Sequence, residues 1–173
     1  MTERNRNAIG RKADSDPASV TEKIRRYCSY HERSEKEAEL KLKSLKAPAS
    51  KTKAILNQLR EEGFLNEERF ARAYVRGKWK VNRWGKIRIR YELKAKGISE
   101  KLISSALLEI DEDIYRDMLE TIIRKKSGEF RHKGEEKNIS KKSLNIRDKI
   151  FNFALGKGYE TDLVNEILNE LKI

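Results

Sequence analysis

Apolar residues recur along this chain at spacings of three and four, separated by polar turns, and that pattern predicts helices from end to end. Residues 20–33 read as a helix with Ile24, Tyr27, Cys28 and His31 on one face. Ser34 is placed to cap a second helix running through Leu45 and carrying Ala38, Leu42 and Leu45. Residues 46–50 contain Pro48 and break the pattern; residues 51–62 then give a third helix, with Ile55, Leu56 and Leu59 apolar and Gly63 as its stop. Asn66 caps the next helix, over 66–81, with Glu67 and Glu68 in the first turn where the helix dipole favours acids. On its wheel Phe70, Tyr74, Gly77 and Val81 share one stripe, flanked by Ala71, Ala73 and Val75. Arg69, Arg72, Arg76, Trp79, Lys80 and Arg83 fall on the opposite arc, and Lys78 must snorkel out from the edge of the apolar one.

A fifth helix is expected over about 85–96. Residues 87–93 alternate with period two as a strand would, but the chain offers no second strand for them to pair with, so helix is the consistent reading. Gly97 stops it, Ser99 caps a sixth, and Leu102, Ile103, Ala106, Leu107 and Ile110 form that helix's apolar face. Beyond lie a helix over about 113–126, a polar loop at 127–140, and helices over 143–155 and 161–171 separated by Gly156 and Gly158. The first 19 residues lack periodicity and read as a disordered tail. Residues 96–110 align with 157–171 at a constant offset of 61, and residues 54–59 align more loosely with 102–107. The fold expected is all-α: three tandem three-helix repeats, at 20–63, 64–110 and 111–173, in an elongated, curved array.

Charge changes the picture more than composition does. The 173 residues are 37% hydrophobic and 39% charged with only two Pro and nine Gly, which suits thin helical layers. The net charge is +12, and residues 72–96 hold ten Lys/Arg against a single acid, Glu92. Opposite charges are missing there, so pairs within one helix do not explain the run. A basic patch interleaved with Trp79, Trp84 and Tyr91 is the footprint of a surface facing a polyanion or an acidic protein. The candidate binding residues are Arg72, Arg76, Lys78, Trp79, Lys80, Arg83, Trp84, Lys86, Arg88 and Arg90. Trp84, beside Gly85 at a turn, is expected to pack. Trp79 is either core or exposed, and if exposed it would stack on a base or anchor a protein interface. The reading requires that neighbouring carboxylates do not neutralise these cations.

Catalytic chemistry is not visible. Glu109, Asp111, Glu112 and Asp113 cluster, but Asp111 or Asp113 is better placed as a helix cap than as a metal ligand. His31 and His132 are far apart in the sequence, and no Walker-type loop is present, so no cofactor, metal or enzymatic turnover is expected. A helix-turn-helix over the last two helices fails on charge, since Glu160, Asp162, Glu166 and Glu170 would be repelled by a groove. That acidic end is either a protein contact or a solvated face. Cys28 is the only cysteine, no apolar run approaches membrane-spanning length, and the first residues hold no apolar signal core, so a cytoplasmic protein is expected.

From residue 24 to residue 171 the chain resembles the RecX family of regulators of the RecA recombinase. The resemblance rests on Arg33-Ser-Glu35, Phe64-Leu-Asn-Glu-Glu-Arg-Phe-Ala-Arg-Ala-Tyr74, Gly77-Lys-Trp79, Arg83-Trp-Gly-Lys86 and Glu92-Leu-Lys-Ala-Lys-Gly-Ile98, in that order. It implies a non-enzymatic cytoplasmic protein that lies in the groove of the RecA–DNA filament and restrains strand exchange and coprotease activity; a monomer is expected. Single- or double-stranded DNA is a further partner it implies. The alternative is a stand-alone DNA-binding protein without sequence specificity that acts without the recombinase.

Overall fold

The computed structural model describes residues 17–132 and 139–173, with side chains described over 19–130 and 146–173. Among the described residues there are nine α-helices and no strand: α1 (Pro17–Tyr30), α2 (Glu35–Ser44), α3 (Ala49–Glu61), α4 (Glu67–Lys80), α5 (Lys86–Ala95), α6 (Glu100–Leu107), α7 (Glu112–His132), α8 (Ile139–Lys157) and α9 (Thr161–Glu170). They follow one another as three sets of three. The expected tail lies outside the described residues except for 17–19, which open α1 with Pro17 at the first helical position, where its fixed φ is already helical. The chain divides into two compact units, one ending at Phe70 and one comprising Ala71–Ile173.

The core of the first unit joins Val20, Ile24 and Cys28 of α1 to Ala38 and Leu42 of α2 and to Ile55, Leu56 and Leu59 of α3. His31, expected on that face, is exposed beyond the end of α1 and lies edge-on to Tyr30. Ser34 is buried and completes a capping box: its Oγ accepts from Glu37 N at 3.2 Å while Glu37 Oε2 accepts from Ser34 N at 3.2 Å. Cations here are matched by acids, Arg60 with Glu35 at 2.9 Å, Arg69 with Glu32 at 2.5 Å, and Arg25 with Glu62. Burial pushes the Cys28 thiol up to about 11, which keeps it protonated and inert at neutral pH.

One turn occurs three times. Lys46, Gly97 and Gly158 each adopt positive φ (57°, 86° and 87°) just past the second helix of a set. The next amide then reaches back to close the helix end: Ala47 N to Leu42 O, Ile98 N to Leu93 O and Tyr159 N to Ala154 O, at 3.0, 3.1 and 3.2 Å. This fixes the register of the first set. Lys46 corresponds to Gly97, three residues away from the alignment of 54–59 with 102–107 that the sequence suggested. A shift of nearly one helical turn preserves the apolar face, so periodicity could not tell the two apart.

In the second unit the alternating segment 87–93 is helical: Ile89 and Leu93 are buried one turn apart, while Ile87 and Tyr91 are exposed. The loop expected at 127–140 is corrected. Helix α7 continues to His132 and α8 begins at Ile139, leaving 133–138 outside the described residues. Lys126 supports the extra turn, its ammonium 2.8 Å from Glu129 and 5.1 Å from the ring centre of Phe130, at i+3 and i+4. Asp111 caps α7, its Oδ1 accepting from Ile114 N at 3.0 Å.

Gly85, the N-cap of α5, has no side chain to cap the helix's first amides. The α8–α9 turn supplies acceptors instead: Gly85 N donates to Lys157 O at 2.8 Å and Ile87 N to Gly158 O at 3.1 Å. Between them, Lys86 N donates to Tyr115 Oη at 2.9 Å, and that hydroxyl donates to Glu160 Oε2 at 2.8 Å. Burial raises the Tyr115 phenol well above its ordinary value of 10.0 and pushes Tyr159, whose ring centre lies 5.1 Å away, up to about 12. Both folded values exceed the unfolded one, so this stability is complete below pH 10 and is lost as pH rises towards 12. Above pH 10 the unfolded chain has released protons that the folded chain keeps. The expected slope is at most ~1.4 kcal/mol per pH unit for each tyrosine. Urea midpoints of the second unit at pH 8, 10 and 11 check it, and Tyr115→Phe should remove about half the slope.

Candidate polyanion-binding surface

The surface is built on α4, the turn 81–85 and α5. Asn66 Oδ1 accepts from Arg69 N at 2.8 Å and starts α4 as its sequence predicts. The buried residues of its second-unit portion are Ala71, Val75 and Trp79, at a spacing of four. That set is rotated from the expected stripe: Phe70 is buried, but Tyr74 is half-buried, Gly77 is exposed, and Val81 is 79% exposed. Trp79 decides the roll of the helix. An indole removes far more apolar surface from water than Val81, and Gly77 has no side chain to bury. Trp79 is therefore core, at 5% exposure, and the expectation of an exposed Trp79 anchor on the cationic arc is corrected.

Trp84 takes the place that Trp79 was to have. It is half-buried at the turn, with the Lys78 ammonium 4.8 Å and the Arg88 guanidinium 3.9 Å from its ring centre. Its amide donates to Lys78 O at 3.1 Å, and Arg83 before it adopts a left-handed φ of 54°. Arg88 Nη1 also donates to Gly156 O at 3.2 Å. The Lys80 ammonium lies over the ring of Trp79, 5.5 Å from its centre.

The cations fall into two classes. Arg72 and Arg76 share Glu109, the second at 3.2 Å; Lys86 meets Glu112 at 2.5 Å; and Arg90 shares Glu100 with Lys94, the latter at 2.9 Å. For Arg72, Arg76, Lys86 and Arg90 the expectation of unopposed charge is thus corrected. Half-exposed pairs of this kind contribute ~1 kcal/mol or less, and two cations on one carboxylate still leave a net positive charge. Among the described residues no carboxylate pairs with Lys78, Lys80, Arg83 or Arg88. These four hold the field that a polyanion would meet, with Trp84 between two of them.

The carboxylates that divide the array were in view in the sequence but not in that role. Glu109 and Glu112 belonged to an acidic cluster read as capping, and Glu100 to the first turn of a helix. They reach Arg72, Lys86 and Arg90 only through the packing of α6 and α7, and no local pattern reports that. The acids of α9 are likewise engaged, Glu166 and Glu170 meeting Arg116 at 3.0 and 2.6 Å. Among the described residues no group of three His, Cys, Asp or Glu side chains is placed to hold a metal ion, and no helix is long and apolar enough to cross a membrane.

Comparison with known proteins decides the family. The crystal structure of RecX from Lactobacillus salivarius superposes with a TM-score of 0.74 at 26% identity, covering 90% of this chain and 96% of that one. The family model described as RecX, second three-helix domain, matches residues 66–107, which are the helices α4–α6 and the cations they carry. The chain belongs to the RecX family. A regulatory protein RecX of Clostridium tetani is 34% identical over 117 residues, 68% of this chain and 50% of the relative. That of Clostridium acetobutylicum is 26% identical over 141 residues, 80% of this chain and 62% of the relative. The chain therefore spans about half to three-fifths of the length of these curated RecX relatives. RecX is a family of regulatory proteins, and the tandem three-helix architecture is the family's own.

Proposed function

We propose that this chain binds the RecA–DNA filament through the α4–α5 surface and restrains the recombinase and coprotease activities of the filament, as a cytoplasmic monomer without catalysis of its own. The observation that carries the reading is the set Lys78, Arg83 and Arg88 around Trp84, cationic and without a carboxylate partner among the described residues, in the domain that the RecX model matches. A nucleoprotein filament offers such a surface both phosphate charge and acidic protein. Long-range attraction to the phosphates would bring the chain in, and Trp84 would sit at the contact.

Binding to single-stranded DNA coated with RecA and to the same DNA bare, at equal salt, tests the proposal. Tighter binding to the coated filament, with strand exchange suppressed at matching concentrations, is the expected result. Equal or tighter binding to bare DNA would overturn it in favour of a DNA-binding protein that acts without the recombinase.

A further inference from the structure

A cleft of about 160 Å³ opens between α7, α8 and the turn that carries Arg83, and its charge is one-sided. Arg83, Lys125, Lys126 and Lys157 line it, with Glu129 as the single acid. Ile122, which is buried, and the half-buried Phe153 give it apolar walls. Elsewhere on this unit Arg72, Arg76, Lys86 and Arg90 stand beside carboxylates contributed by α6, α7 and the turn between them. Here four cations from three separate elements are brought together, and among the described residues only Lys126 has an acid partner, Glu129 at 2.8 Å. Like charges gathered against low-dielectric walls repel one another, and a bound anion relieves that repulsion.

We propose that this cleft binds a single phosphate group. Four features support a phosphate, the first of them against a carboxylate. The donors are one planar guanidinium and three ammonium groups arriving from different sides, which suits an anion with several outward oxygens; one guanidinium alone satisfies a carboxylate. Two of the ammonium groups are already positioned, Lys126 and Lys157 lying 5.0 and 5.8 Å from the ring centre of Phe153. Arg83 is held in its left-handed conformation by bonds on both sides, its carbonyl accepting from Tyr159 Oη at 3.5 Å and the next amide closing onto Lys78 O at 3.1 Å. The volume exceeds what one water needs, leaving room for a phosphate group with part of its hydration.

The phosphate has two chemical sources, a phosphodiester of a nucleic-acid strand or a free phosphoanhydride. In the first case the site deepens and rests on the filament reading, since it would hold the strand at one edge of the α4–α5 surface. The test contains no recombinase, so its failure and that of filament binding are separable. The full chain, labelled with ¹⁵N, is titrated with pyrophosphate, with oligothymidylate and with acetate at constant ionic strength.

Saturable shifts of the Arg83, Lys125, Lys126 and Lys157 amides with pyrophosphate, absent with acetate, are expected. Displacement of pyrophosphate by oligothymidylate would assign the site to a nucleic-acid strand; saturation without displacement would assign it to a free phosphoanhydride. Both support a phosphate site. The Lys125→Gln, Lys157→Gln double variant should bind pyrophosphate roughly tenfold more weakly or worse, as loss of two charged hydrogen bonds requires. Glu129→Gln should bind it more tightly. Equal responses to acetate and pyrophosphate, or unchanged affinity in the double variant with its remaining spectrum intact, would overturn the proposal.

Discussion

Replacing Gly85 with alanine should destabilise the second unit by about 3 kcal/mol or more, the largest effect expected of any single methyl group in this chain. A Cβ at Gly85 would stand 2.0 Å from Gly158 O and 2.3 Å from Tyr159 N, both backbone atoms, so no side chain can rotate to make room. The turn must separate from α8–α9, and the bonds from Gly85 N to Lys157 O and from Ile87 N to Gly158 O are then lost in a buried place. Gly158→Ala should do comparable harm from the other side. Its φ of 87° resists any Cβ, and that atom would lie 2.3 Å from Arg88 Cβ. Gly77→Ala is the control: nothing lies within 4 Å of the added atom, and the position is inside α4, so a gain of up to about 1 kcal/mol is expected. Both tryptophans, Trp79 and Trp84, belong to the second unit, so their emission during urea unfolding measures the three variants without interference from the first.

The same region shows what a sequence discloses and what it withholds. Ser34, Asn66 and Ser99 announced three helix starts, because a cap needs only a short polar side chain at the right place, and a fourth was narrowed to Asp111 or Asp113, of which Asp111 is the cap. Gly63 and Gly97 announced two ends for an equally local reason, their positive φ; the third was expected at Gly156 and Gly158, and the helix runs through Gly156 to stop at Gly158, which alone of the two has that φ. The second helix of the first set ends on Lys46, which adopts the same conformation without glycine, and there the repeat was misaligned.

Properties decided across the fold were less legible. The roll of α4 depends on which of Trp79 and Val81 the neighbouring helices cover. The division of the cations depends on Glu109 and Glu112, 37 and 26 residues from the partners Arg72 and Lys86. Lys125, Lys126 and Lys157 sit in segments of mixed charge that gave no signal of convergence on Arg83. The helix at 127–132 was missed because polar composition resembles a loop when the stabilising contacts, from Lys126 to Glu129 and Phe130, run along the helix itself.

The second large effect concerns binding. Lys80→Gln with Arg83→Gln removes two cations that no carboxylate opposes among the described residues. Arg72→Gln with Arg90→Gln removes two that are opposed, while leaving Glu109 with Arg76 and Glu100 with Lys94. Each double variant lowers the net charge of +12 by two, so any difference between them reflects position and pairing rather than total charge. An unopposed cation that meets a phosphate displaces a counterion from the nucleic acid, whereas a paired one must first leave its carboxylate. The first variant should therefore weaken filament binding about tenfold at moderate salt and flatten the dependence of log K on log salt by about 1.4, from ~0.7 per phosphate contact on a single strand. The second should change that slope by less than half as much.

The decisive measurement is the salt dependence of the affinity of the full chain and of these two variants for single-stranded DNA coated with RecA. A slope that falls for Lys80→Gln with Arg83→Gln and holds for Arg72→Gln with Arg90→Gln is the predicted result. Equal slopes for the two variants, or a larger loss in the second, would contradict the assignment of the docking surface to Lys78, Lys80, Arg83 and Arg88, the cations without a carboxylate partner among the described residues.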